Sequence, residues 1–222
     1  MIVARKSKID NHFFIVLFNH GKSTENLLYS ISMKSLQELH EKNHPLCTCA
    51  LKETATQPVF GAGNENANIV FIGEAPGEKE DISGKPFCGK SGTILNDALE
   101  KVKLSRDTVY ITNTVKYRPP ANRDPKPEEK ESCLEWLFDE LFFIKPTYIV
   151  TLGKHALTTF IQTKGLLLED IAGKPRTIKL THPKSKKNLS ATLIPTFHPA
   201  ATIYNKRYRE IFYTTIQNIQ ND

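Results

Sequence analysis

Among its 222 residues the sequence holds no apolar run approaching the roughly 18 to 20 residues that a membrane-spanning helix needs. The longest candidate near the start, Phe13-Phe14-Ile15-Val16-Leu17-Phe18, is short and lacks a small-residue cleavage pattern. It reads as a buried strand, not as a signal peptide. Cysteine is scarce: Cys47, Cys49, Cys88 and Cys133 are the full set of 4. So few thiols with no secretory signal argue against a disulfide framework and favour a reducing, cytoplasmic location. No internal repeat and no low-complexity tract is present, which excludes a repeat array. Charge is plentiful and nearly balanced, 30 Lys plus Arg against 24 Asp plus Glu, for a net +6. A basic excess of that size fits a polyanion partner without requiring one.

The length suits one α/β domain with a real core, preceded by an N-terminal extension of unknown role over residues 1–45; the catalytic domain is expected over 46–222. Asp10 to Phe18 reads as a strand and Ser35 to Lys42 as a short helix, while Asn43 to Asn66 is rich in Pro, Gly, Asn and Thr and reads mostly as loop. From Asn68 the pattern becomes regular. Ile69-Val70-Phe71-Ile72 is continuously apolar, as a strand buried on both faces of a parallel sheet should be. Ile94, Leu95, Ala98, Leu99 and Val102 form one helical stripe, and Val109-Tyr110-Ile111 is a second strand. Pro127, Glu128 and Glu129 open a long helix that Lys145-Pro146 ends. Tyr148 to Leu152 is a third strand, followed by a helix through Ala156, Leu157 and Phe160. Thr177 to Leu180 and Ala191 to Ile194 flank a basic hairpin tip at Lys184 to Asn188, and a last helix runs from Lys206 to Ile219. Strands alternating with helices predict a three-layer α/β/α sandwich around a mostly parallel sheet of about four strands. Ligands of such sheets sit beyond the carboxyl ends of the strands.

Those ends carry the chemistry. The first strand runs into Gly73-Glu74-Ala75-Pro76-Gly77, with Glu80 and Asp81 close behind and Gly84-Lys85-Pro86-Phe87 beyond. The second ends in Thr112-Asn113 and the last in Phe197-His198-Pro199-Ala200. Singly, each has a bland reading: a structural histidine, a turn-capping amide, a core phenyl, two solvated carboxylates. Together they supply an amide for the edge of a base, a ring to stack on it, an imidazole to face an oxygen gaining charge and a carboxylate to hold water or a sugar cation. That set suits hydrolysis of an N-glycosidic bond.

The same residues resemble family 4 uracil-DNA glycosylases. Gly73-Glu74-Ala75-Pro76-Gly77 with Glu80-Asp81, Gly84, Pro86-Phe87, Gly89 and Gly92 is similar to that family's first motif. Ile111-Thr112-Asn113, Lys116, Arg118-Pro119-Pro120, Asn122-Arg123, Pro125, Glu129 and Cys133 resemble its second block. Lys145-Pro146, Leu152-Gly153 and Ala156 resemble the third, and His198-Pro199-Ala200 the last. The resemblance implies excision of uracil from DNA, a base-excision repair step, by a monomer with no nucleotide cofactor. Gly73 and Ala75 would line the base, Phe87 would stack on it, and Asn113 would read its edge and reject cytosine. His198 would stabilise the departing anion, with Glu80, supported by Glu74, holding the water or the sugar cation. Lys85, Lys90, Arg118, Arg123, Lys206 and Arg207 would grip phosphates, and Ile203 and Tyr204 would wedge into the duplex.

The sequence departs from the family in one place. The resemblance implies a [4Fe-4S] cluster on four cysteines. Cys49 and Cys133 match, but Tyr117 and Leu46 stand where the other two belong, and Cys47 lies one residue from the expected position. The expectation is therefore no cofactor, with a cluster on Cys47, Cys49 and Cys133 as the alternative. Two rival functions also stand: a non-catalytic DNA-binding paralogue, and a nucleotide hydrolase whose phosphate loop is Gly84 to Ser91. The second requires a buried strand directly before Gly84.

Overall fold

The computed structural model describes residues 2–6, 13–17, 34–163 and 165–221. In chain order these form β1 (Ile2–Lys6), β2 (Phe13–Leu17), α1 (Leu36–Leu46), β3 (Ala62–Gly63), β4 (Ile69–Gly73), α2 (Glu78–Ser83) and α3 (Lys90–Lys101). There follow β5 (Tyr110–Asn113), α4 (Pro127–Ile144), β6 (Tyr148–Leu152), the single turns α5 (Lys154–Leu157) and α6 (Leu168–Ile171), β7 (Arg176–Thr181), β8 (Asn188–Thr196) and α7 (Lys206–Asn221).

All strands among the described residues join one sheet in the order β1-β2-β7-β8-β6-β4-β5-β3. Four neighbours, β8, β6, β4 and β5, run parallel and make the centre. The expected count of about four strands describes that centre; the sheet itself has eight. The additions flank that centre on both sides. β7 pairs antiparallel with β8, β3 is a two-residue bridge to β5, and β2 joins β7 with β1 outside it. Of the strand expected from Asp10 to Phe18, residues 13–17 are β2; the remainder lies outside the described residues.

Alternation along the central strands splits the core in two. Val70 and Ile72 of β4 and Ile149 of β6 face α1 and α4, meeting Leu36, Leu39, Leu137, Phe138 and Leu141. Ile69 and Phe71 of β4 and Val150 of β6 face α3 and α7, meeting Leu95, Leu99, Phe212 and Ile216. A sheet covered on both faces explains why β4 reads as an unbroken apolar run. α4 begins where expected, with Glu129 accepting from the Lys126 backbone N–H at 2.7 Å, and ends at Lys145 in the left-handed conformation ahead of Pro146. The helix expected through Phe160 is one α-turn only, Lys154–Leu157, although Phe160 is fully buried. The residue-45 boundary falls inside α1, whose Leu36 and Leu39 belong to the main core. Among the described residues no helix is long and apolar enough to cross a membrane.

Candidate active site

The parallel centre brings the carboxyl ends of β4, β5, β6 and β8 to one edge. Gly73 ends β4, Asn113 ends β5, and Phe197-His198 follow β8. Phe87 arrives from the loop between α2 and α3. The Phe87 and His198 rings lie 5.9 Å apart, centroid to centroid, tilted by 36°. A Cβ added at Gly73 would stand 2.4 Å from Asn113 Oδ1 and 2.6 Å from Phe87 Cζ. The structure thus brings the amide, the phenyl ring and the imidazole together around one bare Cα, where any side chain would intrude. Asn113 is 2% exposed, and its Oδ1 has no hydrogen-bond partner among the described residues. A buried acceptor left so costs about 1–3 kcal/mol. The fold bears that cost at a position where an incoming donor would relieve it.

Phe87 is held in strain. Its φ of 51° is left-handed, which costs a residue with a Cβ roughly 1–2 kcal/mol. Two features hold it there. Gly92, in the first turn of α3, lies so close that a Cβ would sit 1.6 Å from the Phe87 carbonyl oxygen. The Arg106 guanidinium donates to the Pro86 carbonyl at 3.0 Å and, through Nη2, to the Phe87 carbonyl, while its Nε donates to Asn96 Oδ1 at 2.8 Å.

His198 Nδ1 accepts from the Ala200 backbone N–H at 3.2 Å, so the neutral ring carries its proton on Nε2. Burial lowers its pKa from 6.5 to about 4, against a smaller upward pull from the Glu80 charge. At neutral pH His198 is therefore an uncharged Nε2–H donor. Glu80 Oε1 accepts from the Gly89 backbone N–H at 2.8 Å, which ties this carboxylate to the same loop that presents Phe87. Glu74 is engaged elsewhere, with Oε1 2.9 Å from Lys130 Nζ and 3.2 Å from His155 Nδ1. It lines an open groove of about 350 Å³ together with Ala75, His155, Phe197 and His198. Glu74, Asp124 and His155 also converge closely enough for a cation, but the Lys130 ammonium already neutralises that carboxylate.

The basic residues divide. Lys85, Lys90, Lys206 and Arg207 are exposed. Arg118 donates to Asn122 Oδ1 at 2.8 Å and lies 3.7 Å from Glu78. Arg123 forms a two-pronged pair with Glu129, at 2.8 and 2.6 Å, and so braces the start of α4; a pair of this geometry leaves little of its charge for a phosphate. Ile203 is 42% and Tyr204 90% exposed, on the turn after His198. Tyr204 therefore does not pack into the start of the next helix. Gly84 follows α2 and not a strand, which removes the phosphate-loop reading.

Sequence reasoning missed two groups and, for Lys116, named the residue without its task. Arg106 clamps the Phe87 loop, and Lys130 with His155 holds Glu74. Lys116 is fully buried; its Nζ donates to the Asn113 carbonyl at 2.9 Å and to Glu140 Oε2 at 2.7 Å. Arg106, Lys130 and His155 carry no local signal that would have marked them, because each acts on a partner distant in sequence.

A separate corner gathers the cysteines. Cys47, Cys49 and Cys133 meet Leu51, Val115, Tyr117 and Trp136 in one buried cluster. Tyr117 is 1% exposed, its ring 6.2 Å from Trp136, and its hydroxyl faces the Cys47 sulfur without a well-formed hydrogen bond. Leu46 is 57% exposed. The corner thus offers three thiols and a phenol, not four thiols.

Residues 60–219 match the profile of the Uracil DNA glycosylase superfamily. The chain is 38% identical over 190 residues to a type-4 uracil-DNA glycosylase of Archaeoglobus fulgidus, covering 84% of this chain and 92% of the relative. It is 37% identical over 188 residues to the Thermotoga maritima protein of the same name, covering 84% and 93%. With that of Saccharolobus solfataricus it shares 39% identity over 173 residues, 78% of this chain and 79% of the relative.

Proposed function

The chain belongs to the uracil DNA glycosylase superfamily, and we propose that it is a type-4 uracil-DNA glycosylase that hydrolyses the N-glycosidic bond of a uracil nucleotide swung out of DNA into the pocket of Phe87, Asn113 and His198. The observation that carries this is the unpartnered, buried Asn113 Oδ1 beside the Phe87 ring. Uracil offers an N–H next to a carbonyl; a side-chain amide answers with its oxygen and its NH₂. Cytosine reverses both groups and would leave the amide facing like against like. Swinging the nucleotide out costs a few kcal/mol, which stacking on Phe87 and these hydrogen bonds offset.

In the reaction the bond between the sugar C1′ and the base nitrogen breaks, and its electron pair leaves with uracil. His198, neutral and protonated on Nε2, donates to the oxygen on which the anion's charge gathers. Its lowered pKa suits that role, since a ring this reluctant to charge acts by hydrogen bonding and not as a cation. Glu80, fixed by the Gly89 N–H, stabilises the cationic sugar and aims the water that attacks C1′; the water's proton leaves through this carboxylate. Glu74 shapes the adjoining groove with Lys130 and His155. Lys85, Lys90, Lys206 and Arg207 hold flanking phosphates, and Tyr204 with Ile203 fills the gap the base leaves.

The type-4 resemblance implies a four-cysteine cluster, and the donor set here does not fit one. Tyr117 occupies the place of one ligand and the exposed Leu46 that of another. We read the corner as a packed core without iron. Protein purified without oxygen should be colourless in the iron–sulfur band and carry no acid-labile sulfide; stoichiometric iron and sulfide would refute this. We further read the chain as a cytoplasmic monomer that needs no nucleotide cofactor.

The test of the whole reading is uracil release from a labelled oligonucleotide. Asn113→Ala and His198→Ala should each slow excision on the order of a hundredfold, the typical cost of one well-aimed donor. Two folded variants with wild-type rates, or a wild-type chain that binds DNA and releases no uracil, would sink it; the latter is what a non-catalytic paralogue would do.

A further inference from the structure

We propose that Arg106 is a positioning residue for base recognition, a guanidinium clamp that holds the loop presenting Phe87. The inference rests on the uracil reading of the Phe87 pocket and goes one step behind it.

A phenylalanine at φ 51° does not stay left-handed by its own preference. The preceding residue is Pro86, which has no N–H to anchor the loop from that side. What anchors it is a pair of carbonyls, Pro86 and Phe87, both accepting from one planar guanidinium. The third contact, from Nε to Asn96 Oδ1 at 2.8 Å, fixes the plane of that fork against α3. Arg106 itself comes from the turn just before β5, so the clamp joins the loop to the strand that ends in Asn113. The same loop continues to Gly89, whose N–H holds Glu80 Oε1 at 2.8 Å. Gly89 is itself fixed as the cap of α3, so the one side chain sets the height of the stacking ring alone. Lysine could not replace it, because a single ammonium cannot span two carbonyls in a fixed plane.

Without the clamp the loop relaxes toward ordinary backbone, and only a fraction of molecules present Phe87 correctly. Apparent affinity for the flipped base falls in proportion to that fraction. The experiment is a double-mutant cycle on the full chain, reading kcat/KM for uracil release from an oligonucleotide. Arg106→Ala should lose about 10- to 100-fold. Phe87→Ala should lose at least as much, and the double variant should be no slower than Phe87→Ala within about twofold, since both act through one ring. Added guanidinium ion should restore part of the loss in Arg106→Ala and none in Phe87→Ala. Arg106→Lys, which keeps charge and bulk, should melt within a few degrees of wild type yet stay impaired; it carries the test if Arg106→Ala folds poorly. Losses that multiply in the double variant, or a folded Arg106→Lys with wild-type kcat/KM, would overturn the clamp while leaving the pocket intact. Wild-type excision by Phe87→Ala would instead overturn the pocket reading on which the clamp depends.

Discussion

Adding one methyl group at Gly73 tests the pocket more sharply than deleting any of its walls. Gly73→Ala places a Cβ 2.4 Å from Asn113 Oδ1, 2.6 Å from Phe87 Cζ and 2.7 Å from Phe87 Cε2. Carbon atoms prefer about 3.5–4.0 Å, so the ring must retreat by roughly 1 Å. Neither wall yields easily. The Phe87 backbone is tied through its carbonyl to Arg106, and the Asn113 carbonyl accepts from buried Lys116. Displacement therefore falls on the two side chains that meet the base. A misplacement of about 1 Å costs on the order of a hundredfold in rate. Overpacking costs about 1–3 kcal/mol, and for a chain of this size each kcal/mol lowers the melting temperature by roughly 2–4 °C. The variant should thus remain folded at assay temperature while excision falls about a hundredfold. Single-turnover uracil release beside a circular-dichroism melt separates the two effects. A folded Gly73→Ala with wild-type turnover would mean that the space over Gly73 does not hold the base, and the argument from Phe87 and Asn113 would fail with it.

Other consequences follow from the buried charges and the exposed turn. Lys116→Met leaves Glu140, 1% exposed, without the ammonium 2.7 Å away; stability should fall by about 3–5 kcal/mol in chemical denaturation, and a loss under about 1 kcal/mol would show the pair is not the anchor claimed. Acid should destabilise the fold in two stages. The His198 pKa is lower in the folded chain, so its cost grows as pH falls from 6.5 to about 4 and reaches roughly 3 kcal/mol. Glu140, which full burial alone would push up, is brought down from 4.5 to about 2 by Lys116 and His40, so the stability it contributes above 4.5 is lost as pH falls toward 2. Denaturant midpoints at a series of pH values should lose the first stage in His198→Gln and keep the second. Tyr204→Ala should slow excision from duplex DNA on the order of tenfold, the worth of one stacked base, yet leave single-stranded substrate nearly unchanged; equal loss on both would remove the wedge role.

What the chain disclosed before its fold was the part that local pattern encodes. The unbroken apolar run of β4, the Pro127 start and Lys145-Pro146 stop of α4, and the strand Tyr148–Leu152 each carry their reason within a few residues. Parallel strands then oblige their carboxyl ends to share an edge, which is why Asn113 and His198 could be grouped from sequence. The sheet's edge beyond β5 was harder, because β3 is two residues long and carries no periodicity of its own. The pairing of Arg123 with Glu129 was not legible, because that partner lies in the first turn of the next helix. Arg106 gave no hint at all, since its task is set by carbonyls twenty residues upstream.

The cysteine corner shows how one block of sequence serves two structural duties. Residues 113–117 run, buried throughout, from Asn113 at the pocket to Tyr117 in the thiol cluster. Val115 and Tyr117 enter the cluster with Cys49, Cys133 and Trp136, whereas Lys116 turns back to hold Glu140 and the Asn113 carbonyl. In a relative with a fourth cysteine at position 117, a cluster would pin this segment. Here the Tyr117 ring, packed against Trp136, fills the corner, and the Lys116–Glu140 pair fastens the segment from the other side. Glu140 in turn lies 3.1 Å from His40 of α1, whose ring stacks on Phe60 with centroids 4.4 Å apart. The first helix is thereby linked to Asn113 through two buried charges. On this view Tyr117→Cys would gain a thiol but lose the aromatic packing that takes the cluster's structural place. It should melt below wild type, with excision weakened through Asn113; a Tyr117→Cys protein that melts and turns over like wild type would show that the corner and the pocket are mechanically independent.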